Sequence, residues 1–274
     1  MAIKPSKKVD AGETLRIDTI DFGHADFYLV GKSPFLCNRL AEKARHELLL
    51  PAPPKNRAEK ASALKHEPLL EYRASPYQWK DDNHATRLKF PAGAFKKALA
   101  AAALDIPGAA KAEIGRLVTA QWQDVELFGV PKLHMSIVRQ AGISRTPDVR
   151  TRAILPEWAV KIAFDYMQPK LNLQSVGNLL GASGLIVGVG DGRPQKGTFS
   201  FGQFVIVPKA DKDWARITKE GGRAAQDAAL LKPELYDEDT EDLYTWFYDE
   251  LSRRGGKEGL AAEEIAADID PGNA

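Results

Sequence analysis

Cysteine is almost missing from this sequence: Cys37 is the only one among 274 residues. A disulfide within the chain is therefore excluded, and so is a zinc site built on cysteines. A single thiol fits a reducing compartment, and the expected location is cytoplasmic. A charge surplus is missing as well, since 38 Lys and Arg stand against 37 Asp and Glu, for a formal net charge of +1. Binding of nucleic acid through a global basic field is excluded, so any such binding needs a local patch. Long hydrophobic runs are also absent. The longest, "LLGASGLIVGVG" at 179–190, is too short and too rich in glycine to span a bilayer. "MAIKPSKKVDAGETLRID" carries lysines with no apolar block behind them, so it does not read as a signal peptide. What is present is ordinary for a globular protein: 44% hydrophobic and 27% charged residues, in a length that suits one large domain with insertions.

Residues 1–19 read as a flexible basic arm. "IDFGHADFYLVG" (20–31) predicts a first strand. "SPFLCNRLAEKARHELL" has Pro34 near its start and apolar residues at helical spacing, which predicts a helix with Arg39 and Lys43 on one face. "TRLKFPAGAFKKALAAAAL" (86–104) predicts a short strand and then a helix from about Pro91. Residues 122–129 and 132–140 alternate like strands around a Gly129-Val130-Pro131 turn, so a hairpin is expected between them. "AGISRTPDVRTRAILP" reads as a polar loop. "EWAVKIAFDYM" (157–167) predicts a strand with Trp158, Val160, Ile162 and Phe164 on one side; Trp122, at the start of another strand, also reads as core. "NLQSVGNLLGASGLIVG" predicts a helix whose inner face holds Leu173, Val176, Leu179 and Leu180. "FGQFVIVP" (201–208) predicts the last strand. With insertions at about 45–85 and 129–152, residues 20–208 read strand–helix–strand–strand–helix–strand. The expected class is α+β with a ferredoxin-like (RRM-like) core. Residues 209–274 predict an acidic extension of one or two helices and a tail.

The densest signal is "GVGDGRPQKGTFSFGQFVIV" (188–207), with glycines at 188, 190, 192, 197 and 202 around Arg193 and Lys196. It is not a P-loop, because glycine rather than serine or threonine follows Lys196. It is not a dinucleotide fingerprint, because it opens a strand and Arg193 takes the place of the third glycine. A tight turn needs about one positive-φ glycine. The surplus implies backbone held against something bulky, either another stretch of this chain or the phosphates of a ligand.

The order helix, Gly-x-Gly, basic spacer, Gly, Phe201-Gly202-x-Phe204 resembles the glycine-rich loop of the RAMP superfamily of CRISPR-associated proteins. The inserted hairpin is similar to the thumb of that superfamily's guide-RNA-coating backbone subunits, and "FYLVGKSPFLCNR" to their first strand and following turn. The resemblance spans about residues 20–208. It implies an RRM-like fold, a non-enzymatic binder of single-stranded RNA, and copies assembled head to tail along the strand.

The residues give their own candidates for phosphate contact: Arg139, Arg145, Arg150 and Arg152 in the polar loop, Arg39 and Lys43 on the first helix, and Gly190, Gly192, Arg193, Lys196 and Gly197 in the glycine loop. Phe199 offers a ring for base stacking, as do Tyr77 and Trp79. The five histidines fall in no metal-binding spacing, and no cofactor or metal is expected. Asp148, between Arg145 and Arg150, is the one candidate for RNA cleavage. The alternative functions are a stand-alone or viral single-stranded DNA-binding or annealing protein, an RNA-processing endonuclease, and a purely structural assembly protein.

Overall fold

The computed structural model of the protein describes residues 19–39, 66–139, 147–196 and 199–253. The chain is α+β. Among the described residues there are seven helices, and all pairings between named strands are antiparallel.

In the larger sheet, the second strand from one edge is β1 (Asp21–Gly31), which alternates exposed and buried residues at Ala25, Phe27 and Leu29. It lies between β10 (Phe204–Val207) and β9 (Ala159–Gln168). On the far side of β9 run β5 (Val118–Ala120) and β6 (Asp124–Phe128), two segments of one interrupted strand. Beyond β6 come β4 (Leu88–Pro91) and β3 (Tyr77–Gln78). Two helices cover one face. The first is α2 (Ala92–Ala102), which follows β4 directly because Pro91 serves as its N-cap residue with extended ψ. The second is α4 (Leu173–Ile186), capped by the Asn172 side chain, which accepts from the Ser175 amide. α3 (Lys111–Leu117) leads into β5.

The main core sits between these helices and the sheet. Phe27, Leu29, Leu127, Val160, Ile162, Phe164 and Phe204 meet Phe95, Leu99, Val176 and Leu180 there. Each such side chain, fully buried, contributes about 1.5–3 kcal/mol of transfer free energy. A smaller cluster on the opposite face, Val30, Ala159 and Ile217 with Trp214, is closed by α5 (Lys212–Glu220). α6 (Arg223–Leu231) places Gln226, fully buried, at the junction of β4, β6 and the Gly129 turn. Its oxygen accepts from the Arg87 and Leu88 amides, and its nitrogen donates to the carbonyls of Leu127, Gly129 and Gly221.

A second sheet has the order β2 (Phe35–Leu36), β8 (Pro147–Leu155), β7 (Lys132–Arg139). α1 (Pro68–Ala74) packs on β8, and α7 (Glu238–Arg253) packs on β7. Leu133, Ala153 and Leu155 join this sheet to the main core.

Several expectations are corrected. No helix covers Pro34–Arg39: Phe35, Leu36 and Cys37 are buried one after another, and Phe35–Leu36 pairs with β8. Strand pairing outweighed the helical spacing there. β6 and β7 do not form a hairpin. Gly129 (φ 130°) turns the chain out of the first sheet and donates its amide to Gly221, and β7 pairs with β8 instead. Part of the predicted arginine loop, residues 147–155, is therefore a strand. Leu173 is 54% exposed and Trp122 42%, so neither belongs to the core. The acidic extension holds three helices among the described residues.

Candidate nucleic-acid interface

After α4 the chain enters the glycine-rich turn, and the turn is fastened to its own protein at three points. The Val189 amide donates to Gly202, the Gly202 amide to Pro34, and the Asp191 amide to Leu36. At Gly202 (φ 68°) a Cβ would lie 1.7 Å from the Val189 carbonyl oxygen, so no other residue fits. At Gly190 (φ 83°) a Cβ would crowd the Leu36 carbonyl at 3.0 Å. Close approach of this chain's own backbone thus accounts for these two glycines.

A charged clasp holds the other side. Arg152 on β8 is 8% exposed, and its Nη1 donates to Asp191 at 2.5 Å while Nη2 donates to Ser136 Oγ. Asn38 donates to the same Asp191 oxygen at 3.1 Å. Burial lowers the Arg152 pKa from its usual value, and Asp191 opposes that shift. Cys37, beneath the clasp, is buried, and its thiol is pushed up to about 12 by loss of solvent, with Arg152 pulling the other way. It is a packing residue rather than a nucleophile at neutral pH.

Beside the turn lies a cleft of about 440 Å³. The turn at 187–195 forms one wall. The start of α2 (Pro91, Gly93, Ala94, Lys97) forms another, and Asn38, Tyr77 and Phe90 complete it. The amides of Gly190, Gly192 and Arg193 donate to no acceptor among the described residues. The side chain of Arg193 donates to the Gly190 carbonyl, and Lys97 makes no ion pair among the described residues. Lys89 is committed to Asp124 at 2.7 Å and lies 4.6 Å from the Trp79 ring centroid. Asp191, the one acid among the described residues of the lining, is held by Arg152. The cleft therefore carries surplus positive charge and open amides, a combination that receives anionic oxygens.

No family model matches this chain, and no curated protein matches it.

The structure brings some of the expected residues together and separates others. Gly190 and Arg193 meet at the cleft with Lys97 and Tyr77, which completes a cationic group drawn from three elements, while Gly192 lies off that lining beside the Phe201 ring. Lys196 is exposed on the same turn, and Phe199, 55% exposed, stacks on Phe201 with ring centroids 5.5 Å apart. Arg150 is exposed on the same side of β8 as Arg152, two residues away and so about 7 Å along the strand. Arg139 is exposed at the end of β7, opposite Pro147. Arg39 is half-buried, and its guanidinium stands 5.9 Å from the Tyr77 ring centroid. Lys43, Arg145 and Gly197 lie outside the described residues, as do most of the basic arm and the end of the acidic tail.

Asp148 sits on β8 facing His66 Nε2 at 3.3 Å, while Glu71 faces Nδ1 at 3.0 Å. Both ring nitrogens of that histidine are thus turned toward carboxylates. Tyr72 is buried, donating its hydroxyl proton to the carbonyls of Ala229 and Pro131, and Arg73 caps the end of α6 through Leu230 and Leu231. Lys97 and Asn38 were not singled out from sequence. Lys97 falls within an alanine-rich helical run, and only the packing of the α2 start against the turn makes it part of the site.

The outer face of the first sheet is a poor track for a polyanion. His24, Asp26 and Asp165 occupy it, with His24 Nδ1 and Asp165 at 3.0 Å, and Trp214 of α5 covers Tyr28. Lys161, paired with Asp26 at 2.9 Å, offsets one of these carboxylates, and Asp165 leaves the group with a negative charge that disfavours phosphates.

Proposed function

We propose that the protein binds single-stranded nucleic acid, RNA in the first instance, in the cleft beside the glycine turn and along the basic side of the β7–β8 hairpin. The observation that carries this reading is the pair of open amides at Gly190 and Arg193 on the cleft lining, beside two cations, Lys97 and Arg193, that have no carboxylate partner among the described residues. Open amides and unpaired cations favour phosphate oxygens, and the neighbouring Tyr77 and exposed Phe199 favour bases.

The architecture supports an RRM-like interpretation. The core elements run β1, α2, β5 with β6, β9, α4, β10, and the antiparallel order β10-β1-β9-β6 is that of a split βαβ unit. The β7–β8 hairpin, inserted between β6 and β9 and paired with β2 in its own sheet, is the element we read as the thumb. On this interpretation the strand avoids the sheet face that bears Asp26 and Asp165, lies in the cleft beside the glycine turn and continues onto the exposed Arg150 side of the hairpin. Copies of the chain align head to tail along it, as the resemblance to RAMP backbone subunits implies.

Four exposed or half-exposed cations, Arg150, Lys97, Arg193 and Lys196, border that path, while Arg139, three residues beyond Ser136, points to the opposite face of the hairpin. On single strands each phosphate neutralised contributes about −0.7 to the slope of log affinity against log salt, so full engagement gives about −2.8. Fluorescence anisotropy with a labelled uridine oligomer tests this. The expected affinity loss between 50 and 200 mM salt is about 50-fold. A loss below about twofold, or no binding at low salt, overturns the reading. Equal or tighter binding of a thymidine oligomer would transfer the function to DNA.

A further inference from the structure

Asp191 is out of place in a cleft meant for phosphates. Its clasp with Arg152 uses Oδ2, which also accepts from Asn38. Oδ1 accepts from nothing among the described residues, and the side chain is 35% exposed on the lining of the cleft. Asn38, also on the lining, has a second amide hydrogen and its own oxygen without a partner among the described residues. Tyr77 and Phe90 stand on the same lining. The site thus has phosphate-binding groups on the glycine turn and, beside them, a carboxylate oxygen fixed in place next to a carboxamide and two rings.

We propose that the cleft reads one base of the bound strand, and that the base it prefers is guanine. This deepens the single-strand reading above and rests on it. A carboxylate oxygen accepts hydrogen bonds only, so it selects an edge that presents N–H groups. Guanine presents two adjacent ones, N1–H and the N2 amine, with O6 beside them to accept from Asn38. Uracil presents one N–H between two carbonyls, whose lone pairs face the carboxylate. Cytosine and adenine present an amine beside a ring nitrogen that is itself an acceptor. The Arg152 clasp and the Asn38 bond hold Asp191 in position, so little reorganisation accompanies binding. The cleft volume of about 440 Å³ is in the range of sites that take a nucleotide-sized ligand.

The test uses the full chain and labelled uridine 12-mers that differ only in the central residue, U, A, C or G. The expected result is that the guanine 12-mer binds about tenfold more tightly than the others, the lower part of the range for a two-bond base contact. In Asn38→Ala, which leaves the Arg152–Asp191 pair in place, the guanine-to-uracil ratio collapses to within about twofold. In Asp191→Asn the carboxylate is replaced by an amide that also donates, and the guanine preference is lost. Should that variant fail to fold by circular dichroism, Asn38→Ala carries the test. Four 12-mers bound within twofold of one another by the unmodified protein overturn the proposal and leave the single-strand reading standing. No binding of any 12-mer at low salt overturns both.

Discussion

Removing the Arg152 side chain tests whether the glycine turn is held in place by charge. Arg152→Met keeps the apolar stem and deletes the guanidinium. The structure sets the size of the loss. Arg152 is 8% exposed and bonds Asp191 and Ser136, so its removal strips Asp191 of its cationic partner. Breaking a buried ion pair from one side costs about 3–5 kcal/mol. Here the Asp191 side chain is 35% exposed and can rehydrate, and the lost guanidinium no longer bears its own desolvation cost, so about 2 kcal/mol is expected. Urea denaturation reads this as a lower midpoint at unchanged slope. The double variant Arg152→Met/Asp191→Asn should recover about half of the loss, because no uncompensated charge remains. Oligomer affinity should fall in the single variant too, since the open amides of Gly190 and Arg193 lose their fixed arrangement. A single-variant loss below about 0.5 kcal/mol, with no coupling between the two positions, would refute the reasoning.

Gln226→Leu leaves two backbone amides and three carbonyls without their buried partner; a loss of about 3–4 kcal/mol is expected in the same denaturation assay. The Cys37 thiol, pushed up to about 12 by burial, should stay unmodified by an aromatic disulfide reagent at pH 8 and react once the chain is unfolded. Rapid labelling of the native protein would contradict its placement. His134, 8% exposed, has its pKa lowered by burial, with Asp237 raising it and Arg152 lowering it; Thr240 and Tyr236 also pack against it. The fold thus favours the neutral ring, so this contribution is complete above the unfolded value of about 6.5 and is lost as pH falls below it. His134→Gln should flatten the decline in urea midpoint between about pH 6.5 and 5 relative to the unmodified chain. Gly202→Ala places a methyl group against the Val189 carbonyl in a left-handed backbone; a melting temperature lowered by several degrees is expected, and an unchanged one would mean that the turn is not fastened there.

The elements that were legible before any coordinates are those whose residues carry a local cause. β1 and β9 announce themselves by apolar spacing, α2 by Pro91 and its alanines, and α4 by apolar spacing, while the glycine turn is visible as a cluster of residues that tolerate positive φ. What the sequence left open, or indicated wrongly, depended on a partner far along the chain. Phe35 and Leu36 fit a helical spacing but extend because β8 offers its edge 118 or more residues later. Arg150 and Arg152 look equivalent in the sequence. Yet one is exposed and the other is buried against Asp191, because the glycine turn folds back beneath β8. Lys97 and Asn38 reach the cleft only because α2 and β2 converge on that turn. Local preference acts over a few bonds and can be read in order, whereas burial and charge pairing depend on which surfaces meet, and only the folded chain decides that.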